Sequence, residues 1–299
     1  MTADHPRVLC LGEALVDLIG EAHVQAMREV ERFVPHFGGV VANVAVFAAR
    51  AGARVSLAGA AGDDCWGRWL RQRLETEGVD VARFALRAGE QTQLAFVAVD
   101  GEGEPTYELY AEQRQADVPE IENAVRECSA LVIGSNTLAG AQERELTMRA
   151  RATALQDSRP VIFDCNLRLH RWSSRADAAA SANACVPGAL LVRVNHEEAE
   201  LMTGESDPER AATALRKAGA QMVVIGLGAR GAILRGPLRA DAAPVRSRVI
   251  STVGAGDALT GTLLARLALS DFYPPAVAAG LDDAVAEAAR TCERWGALD

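Results

Sequence analysis

The sequence predicts an α/β fold: a mainly parallel central sheet covered by helices on both faces, with a small β-sheet lid. Three observations carry that prediction. Apolar, β-branched runs alternate with helical stretches along most of the chain. Between Thr92 and Tyr110 the rhythm changes to two short extended runs joined by DGEGEP, which has hairpin turn chemistry. No Pro-, Gly- or Ser-rich linker, low-complexity tract or internal repeat interrupts the 299 residues, so residues 1–299 are expected to form a single domain.

Taken in order, the apolar segment Val8 to Ile19 predicts a first strand ending near Asp17, followed by an inserted element over Glu21 to Pro35. After Gly38 and Gly39, small and apolar residues at helical spacing predict a helix over Ala42 to Ala51, closed by Gly52. A strand at Arg54 to Ala60 and a helix from Asp64 to Glu77 follow. The hairpin runs are Gln93 to Val99 and Thr106 to Tyr110. Strands are then predicted at Ala130 to Gly134, Val161 to Asp164, Leu190 to Val194 and Met222 to Ile225, with helices between them. Helices over Ala255 to Leu269 and Pro275 to Arg290 end the chain. The lid is expected from parts of residues 18–37 and 92–117.

Composition narrows the function. Thirty-one Lys and Arg against forty Asp and Glu give a formal charge of −9, with the basic residues dispersed. Such a field repels phosphodiester backbones and anionic lipid, which argues against nucleic-acid and membrane partners. Apolar runs are short or broken by Arg50 and Arg266, and the N-terminal segment lacks the basic flank of a signal peptide, so a cytoplasmic protein is expected. The six cysteines form no CxxC pair and suit buried thiols in a reducing compartment.

The segment Ser251-Thr252-Val253-Gly254-Ala255-Gly256-Asp257 opens an apolar helix. Small residues let the backbone approach an anion, and the exposed N–H groups of a helix N-terminus favour negative charge. A carboxylate in that first turn, Asp257, can take the proton of an attacking hydroxyl while the amides hold a phosphoryl group. By itself the pattern equally describes a tight turn and an acid facing the helix dipole. In HFGGVVAN, Gly38 and Gly39 keep side chains out of a ligand's way, and Asn43 can donate to and accept from hydroxyls. This too, taken singly, is an ordinary helix start. Asp17 could grip two sugar hydroxyls or be solvated.

The combination is more specific. GEALVDLI, GGVVAN, GDDCWG, FDCNLR, NHEE, GLGARG and GAGD fall in the order and at the separations of the ribokinase-like (PfkB) carbohydrate kinases, from about Leu11 to Ala297, and the chain resembles that family. The resemblance implies a three-layer α/β/α fold and transfer of the ATP γ-phosphoryl group to a sugar hydroxyl. It implies Asp257 as the base and Gly254, Ala255 and Gly256 as the anion hole. Asp17, Gly38, Gly39 and Asn43 would hold the sugar, and Arg168 would lie near substrate or phosphate. Asn195 and Glu198, as an NxxE motif, would organise Mg²⁺ through water, and Gly226, Gly228 and Gly231 would border the nucleotide. The implied cofactors are ATP and Mg²⁺. Relatives often dimerise through their lids, so a homodimer is an expectation of the same kind.

GEALVDLI, GDDCWG and the TQLAFV segment look closest to the fructokinases of that family, which puts fructose first among acceptors. The alternatives are 2-keto-3-deoxygluconate, for which Arg114 or Arg168 would meet the carboxylate, a nucleoside, or a relative that binds sugar or nucleotide without turnover. Ser251 stands where relatives have an Asp that helps ligate a monovalent cation, which argues against potassium dependence. Cys165, Val40, Val41 and Gly226 are further departures, none at a residue essential to the chemistry.

Two other motifs are set aside. Gly226, Gly228 and Gly231 fit the GxGxxG spacing, yet AILRGPLRAD follows, strand-like and broken by Pro237, where a dinucleotide site needs a helix and a later acid. His196-Glu197 is not HExxH, because Glu200 stands at the second His position.

Overall fold

The computed structural model describes residues 7–110, 118 and 120–298. In chain order the elements are β1 (Arg7–Leu11), β2 (Leu15–His23), β3 (Val34–Gly38), α1 (Val40–Arg50), β4 (Arg54–Gly62), α2 (Cys65–Thr76), β5 (Phe84–Arg87), β6 (Leu94–Val99) and β7 (Pro105–Tyr110). They continue with α3 (Ile121–Arg126), β8 (Ala130–Gly134), α4 (Ala141–Gln156), β9 (Val161–Asp164), α5 (Arg175–Asn183), β10 (Leu191–Asn195), α6 (His196–Thr203), α7 (Pro208–Lys217) and β11 (Met222–Gly226). The last are β12 (Ala232–Arg235), β13 (Arg239–Ala242), α8 (Ala255–Leu269), α9 (Pro275–Ala279) and α10 (Leu281–Thr291).

The nine-stranded sheet has the order β13-β12-β11-β10-β9-β8-β1-β4-β5 and is parallel from β11 to β5; only the β12 and β13 edge is antiparallel. Period-two alternation sends each strand's side chains to opposite faces. Val8 and Cys10 join the cluster built with α1, α8 and α10, whereas Leu9 and Leu11 join the cluster built with α3, α4 and α7. Helices therefore cover both faces, as the strand and helix alternation predicts.

A separate four-stranded sheet, β3-β2-β6-β7, combines the β6–β7 hairpin with β2 and β3. It sits on its own apolar cluster of Leu15, Ile19, Ala95, Val97, Val99 and Val253. Val253 lies just before α8, so the small sheet rests against the loop that opens that helix. Residues 111–117, the rest of the expected lid segment and the location of Arg114, lie outside the described residues.

Three expectations need correction. Val8 to Ile19 is not one strand: β1 belongs to the large sheet and β2 to the small one, with Gly12, Glu13 and Ala14 between them. A Cβ on Gly12 would lie 2.6 Å from Val41 Cβ, so the crossing is a close backbone passage over α1. Asp17 accordingly sits inside β2, opposite His36 of β3, not at a strand end. The last predicted helix is two, α9 and α10, meeting at Gly280, where a Cβ would come within 2.7 Å of Arg266 Cγ. Of the cysteines, Cys65 is exposed and Cys292 only partly covered.

Candidate active site

Ligands of open α/β sheets bind beyond the carboxyl ends of the parallel strands. Those ends carry several polar residues. Glu13 follows β1, Asp164 ends β9, Asn195 ends β10, and Gly226 ends β11 in register with Asn195. The N-termini of α1 and α8 open at the same edge, and the small sheet covers it from above. A cleft lies between, lined by Asp17, Gly39, Asn43, Arg168, Gly254 and Asp257 among others.

Asp257 is buried in the first turn of α8. Asn43 Nδ2 donates to its Oδ2 at 2.8 Å, and Asn166 Nδ2 donates to its Oδ1 at 3.0 Å. Burial, reinforced by the nearby Asp164 carboxylate, pushes the Asp257 carboxyl up to about 7. Asn166 Oδ1 in turn accepts from Arg168, whose guanidinium lies 4.9 Å from the Tyr107 ring centroid. Asn166 holds φ 39°, a left-handed conformation that Asn tolerates better than most residues.

Asp17, also buried, is raised to about 7 chiefly by its burial, with Arg168 opposing and Asp257 adding to the shift. Gly38 answers to Asp17 rather than to open space, since a Cβ there would lie 2.4 Å from Asp17 Oδ2. Gly39 has φ 101° and a Cβ on it would meet the Glu13 carbonyl oxygen at 2.5 Å, so both its conformation and its packing require glycine. The pair that reads in sequence as clearance for a ligand is needed first by the protein's own chain.

Among the described residues no side chain caps α8, and the first-turn N–H groups of a helix have no intrahelical partner. Ala255 N–H turns back to Thr252 O at 3.2 Å. Gly254 takes φ 80° against Ala297, and a Cβ on Gly256 would meet Arg193 Nη2 at 2.6 Å. Arg193 is buried and pairs with Asp164 Oδ1 at 3.3 Å, while Thr260 Oγ1 donates to Asp164 Oδ2 at 2.7 Å. A guanidinium thus lies directly against the first turn of α8.

The remaining expected site residues lie outside the cleft lining. Asn195 and Glu198 form a capping box at the start of α6: Asn195 Oδ1 accepts from Glu198 N–H and Glu198 Oε2 from Asn195 N–H, both at 2.8 Å. Glu198 Oε1 accepts from Leu167 N–H at 2.7 Å, so the buried carboxylate already serves two backbone donors. Gly226, Gly228 and Gly231 form the turn between β11 and β12, a strand-to-strand connection and not a helix start. A Cβ on Gly231 would strike Ala242 O at 2.1 Å, whereas one on Gly228 would meet nothing within 4 Å.

Sequence reasoning overlooked several lining residues. Glu13, Asn136, Tyr107 and Arg171 all border the cleft. Glu13 lies within GEALVDLI and Arg171 just beyond FDCNLR, and that adjacency is the signal that could have found them. Asn136 and Tyr107 belong to no motif.

The chain is similar to known proteins over most of its length. Residues 5–293 match the model of the pfkB family carbohydrate kinases. Fructokinase-1 of Oryza sativa subsp. japonica is 29% identical over 266 residues, covering 87% of this chain and 82% of its own. The 5-dehydro-2-deoxygluconokinase of Shouchella clausii (strain KSM-K16) is also 29% identical, over 86% of this chain and 82% of its own. Among solved structures, Vibrio cholerae O395 fructokinase bound to fructose, ADP and calcium superposes with a TM-score of 0.86 at 28% identity, over 98% of this chain and 95% of that one. Salmonella enterica aminoimidazole riboside kinase, complexed with aminoimidazole riboside and an ATP analogue, gives 0.81 at 27% identity, over 98% and 95%. With a family match spanning nearly the whole chain and a ribokinase-like fold around the cleft, this chain belongs to the pfkB family of carbohydrate kinases and is an ATP-dependent sugar kinase.

Proposed function

We propose that the enzyme transfers the γ-phosphoryl group of Mg·ATP, in line, to a hydroxyl of a fructose-like sugar, with Asp257 as general base. The observation that carries this reading is the Asp257 carboxylate: buried at the uncapped N-terminus of α8, oriented by two amides, and raised to about 7. A base in that range is ionised enough near neutrality to take a hydroxyl proton and basic enough to hold it. The first-turn amides of α8 face the charge that the transferred group carries, and Arg193 beneath Gly256 adds a fixed positive charge. Catalysis is then positioning and charge stabilisation, with no covalent enzyme intermediate.

Asp17, Gly39, Asn43 and Arg168 share the cleft with Asp257 and are assigned to the sugar. Asn195, Gly226 and Gly228 lie at the adjoining strand ends and are assigned to the nucleotide. Magnesium enters with ATP. Because the oxygens of Glu198 already serve Leu167 and Asn195, its part is to fix the chain there and to reach the ion only through water. The fructokinase relatives, one of them bound to fructose and ADP, favour fructose as acceptor. A sugar acid is the second reading, favoured by Arg168 and Arg171 in the lining. The free thiols of all six cysteines support a reducing, cytoplasmic setting.

The test is ADP release from Mg·ATP with fructose, ribose, 2-keto-3-deoxygluconate, inosine and adenosine, with and without potassium. Fastest turnover of fructose is expected, with little response to potassium. Turnover of the sugar acid or of a nucleoside alone would replace the fructose assignment.

A further inference from the structure

One carboxylate in the cleft has no part in the transfer described above. Glu13 lies between β1 and β2, is 1% exposed, and lines the same cleft as Asp17 and Asp257. Its Oε1 accepts from Val40 N–H at 3.0 Å and from Asn136 Nδ2 at 2.7 Å. Its Oε2 is buried and has no hydrogen-bond partner among the described residues.

Val40 is the first residue of α1, so the bond to Oε1 satisfies one orphan donor of that helix. A single oxygen does that work, and a glutamine would do it equally well. Capping therefore accounts for neither the charge nor the second oxygen. A buried carboxylate oxygen without a donor is costly, and it is retained where a donor arrives from elsewhere. The cleft is the direction from which one can come.

We propose that Glu13 is a specificity-determining residue of the sugar site: Oε2 accepts a hydrogen bond from an acceptor hydroxyl other than the one phosphorylated. The proposal rests on the sugar-kinase reading of this cleft. Two positions in the first turn of α1 are used in different ways. Val40 N–H holds Glu13, while the Asn43 side chain holds Asp257. The substrate is thereby gripped by Glu13 at one point and deprotonated by Asp257 at another. A carboxyl oxygen that accepts at the gripping point favours a neutral polyhydroxy acceptor, because a substrate carboxylate placed there would set acceptor against acceptor away from water.

The experiment is a cycle between the enzyme and the sugar. Glu13→Gln keeps Oε1 for Val40 and Asn136 but replaces Oε2 with an amide. Its kcat/KM for fructose is expected to fall about 10- to 100-fold, the worth of a hydrogen bond to a charged group, with the melting temperature close to wild type. In a series of monodeoxy fructoses, one analogue should lose a similar factor with the wild-type enzyme and almost none with Glu13→Gln. The wild type should also prefer fructose to 2-keto-3-deoxygluconate, and Glu13→Gln should narrow that preference. Equal losses from every deoxy position in both enzymes, or an unimpaired Glu13→Gln, would overturn the role of Glu13 while leaving the sugar assignment intact. If the wild type turned over no neutral polyhydroxy substrate, both would fall.

Discussion

Asn43 Nδ2 donates to Asp257 Oδ2 at 2.8 Å, a bond that joins α1 to α8 across 214 positions of sequence. With Asn166 on the other oxygen, the carboxylate is held from both sides and cannot rotate to solvent. Asp257→Asn removes the base and leaves the shape. Its kcat is expected to fall about 10²- to 10⁴-fold, the usual contribution of a positioned general base. Stability should move the other way. The folded carboxyl titrates near 7 and the unfolded one near 3.8, so the native state holds the proton more tightly. The wild type therefore loses stability as pH rises through that interval. Asp257→Asn should lack that loss and melt above the wild type at pH 8. Wild-type turnover by the variant would remove Asp257 from the mechanism.

Asp17 is raised to about 7 as well, chiefly by burial, with the Asp257 carboxylate adding to the rise. If transfer needs Asp257 ionised and sugar binding needs Asp17 ionised, two protons must leave before the free enzyme is competent. The plot of log kcat/KM against pH should then fall below about 7 with a slope between 1 and 2, the apparent values belonging to the pair. Asp17→Asn should reduce that slope to 1 and raise KM for the sugar. A wild-type slope of 1 would leave only one of the carboxylates titrating in the working range.

The order of strands and helices was legible because parallel strands buried on both faces read as apolar runs, and GAGD and the glycine pair marked the two helix starts that meet at the cleft. The break at Gly12 to Ala14 was not legible, because the apolar run continues through the crossing from one sheet to the other. Only the meeting of that crossing with α1 shows what Glu13 holds. Arg193 was hidden inside the strand LVRVN, where a charged residue in an apolar run carries no pattern of its own. Its contact with Gly256 exists only after β10 and α8 pack together. The need for glycine at that position thus arises from a distant side chain as well as from an anion.

Gly228 separates nucleotide binding from fold. It has φ 58°, and a Cβ there would meet no atom of the described residues within 4 Å. Gly228→Ala should therefore cost only about 1–2 kcal/mol, the penalty of a left-handed backbone with a side chain. If the β11–β12 turn borders the nucleotide, the added methyl should raise KM for ATP several-fold and leave KM for the sugar unchanged. Steady-state kinetics with each substrate varied in turn decide it. An unchanged KM for ATP would move the nucleotide away from this turn.

Arg193 links stability to the base. Its guanidinium pairs with Asp164, lies against Gly256, and opposes the burial and the Asp164 charge that raise Asp257. Arg193→Met leaves Asp164 charged and without its partner beneath α8, so a loss of about 3–5 kcal/mol is expected. A residue that only supported the fold would leave the pH dependence of the surviving folded enzyme where it was. Arg193 should not, because losing its positive charge makes the Asp257 proton harder to remove. The acid limb of kcat should move to higher pH, with activity partly recovered in alkaline buffer. Arg193→Lys should keep the limb near its wild-type position. In Arg193→Met/Asp164→Asn both opposing charges are gone, so stability should rise from that of the single variant and the limb should return toward wild type. A limb that stayed fixed in all three variants would confine Arg193 to the architecture of the loop.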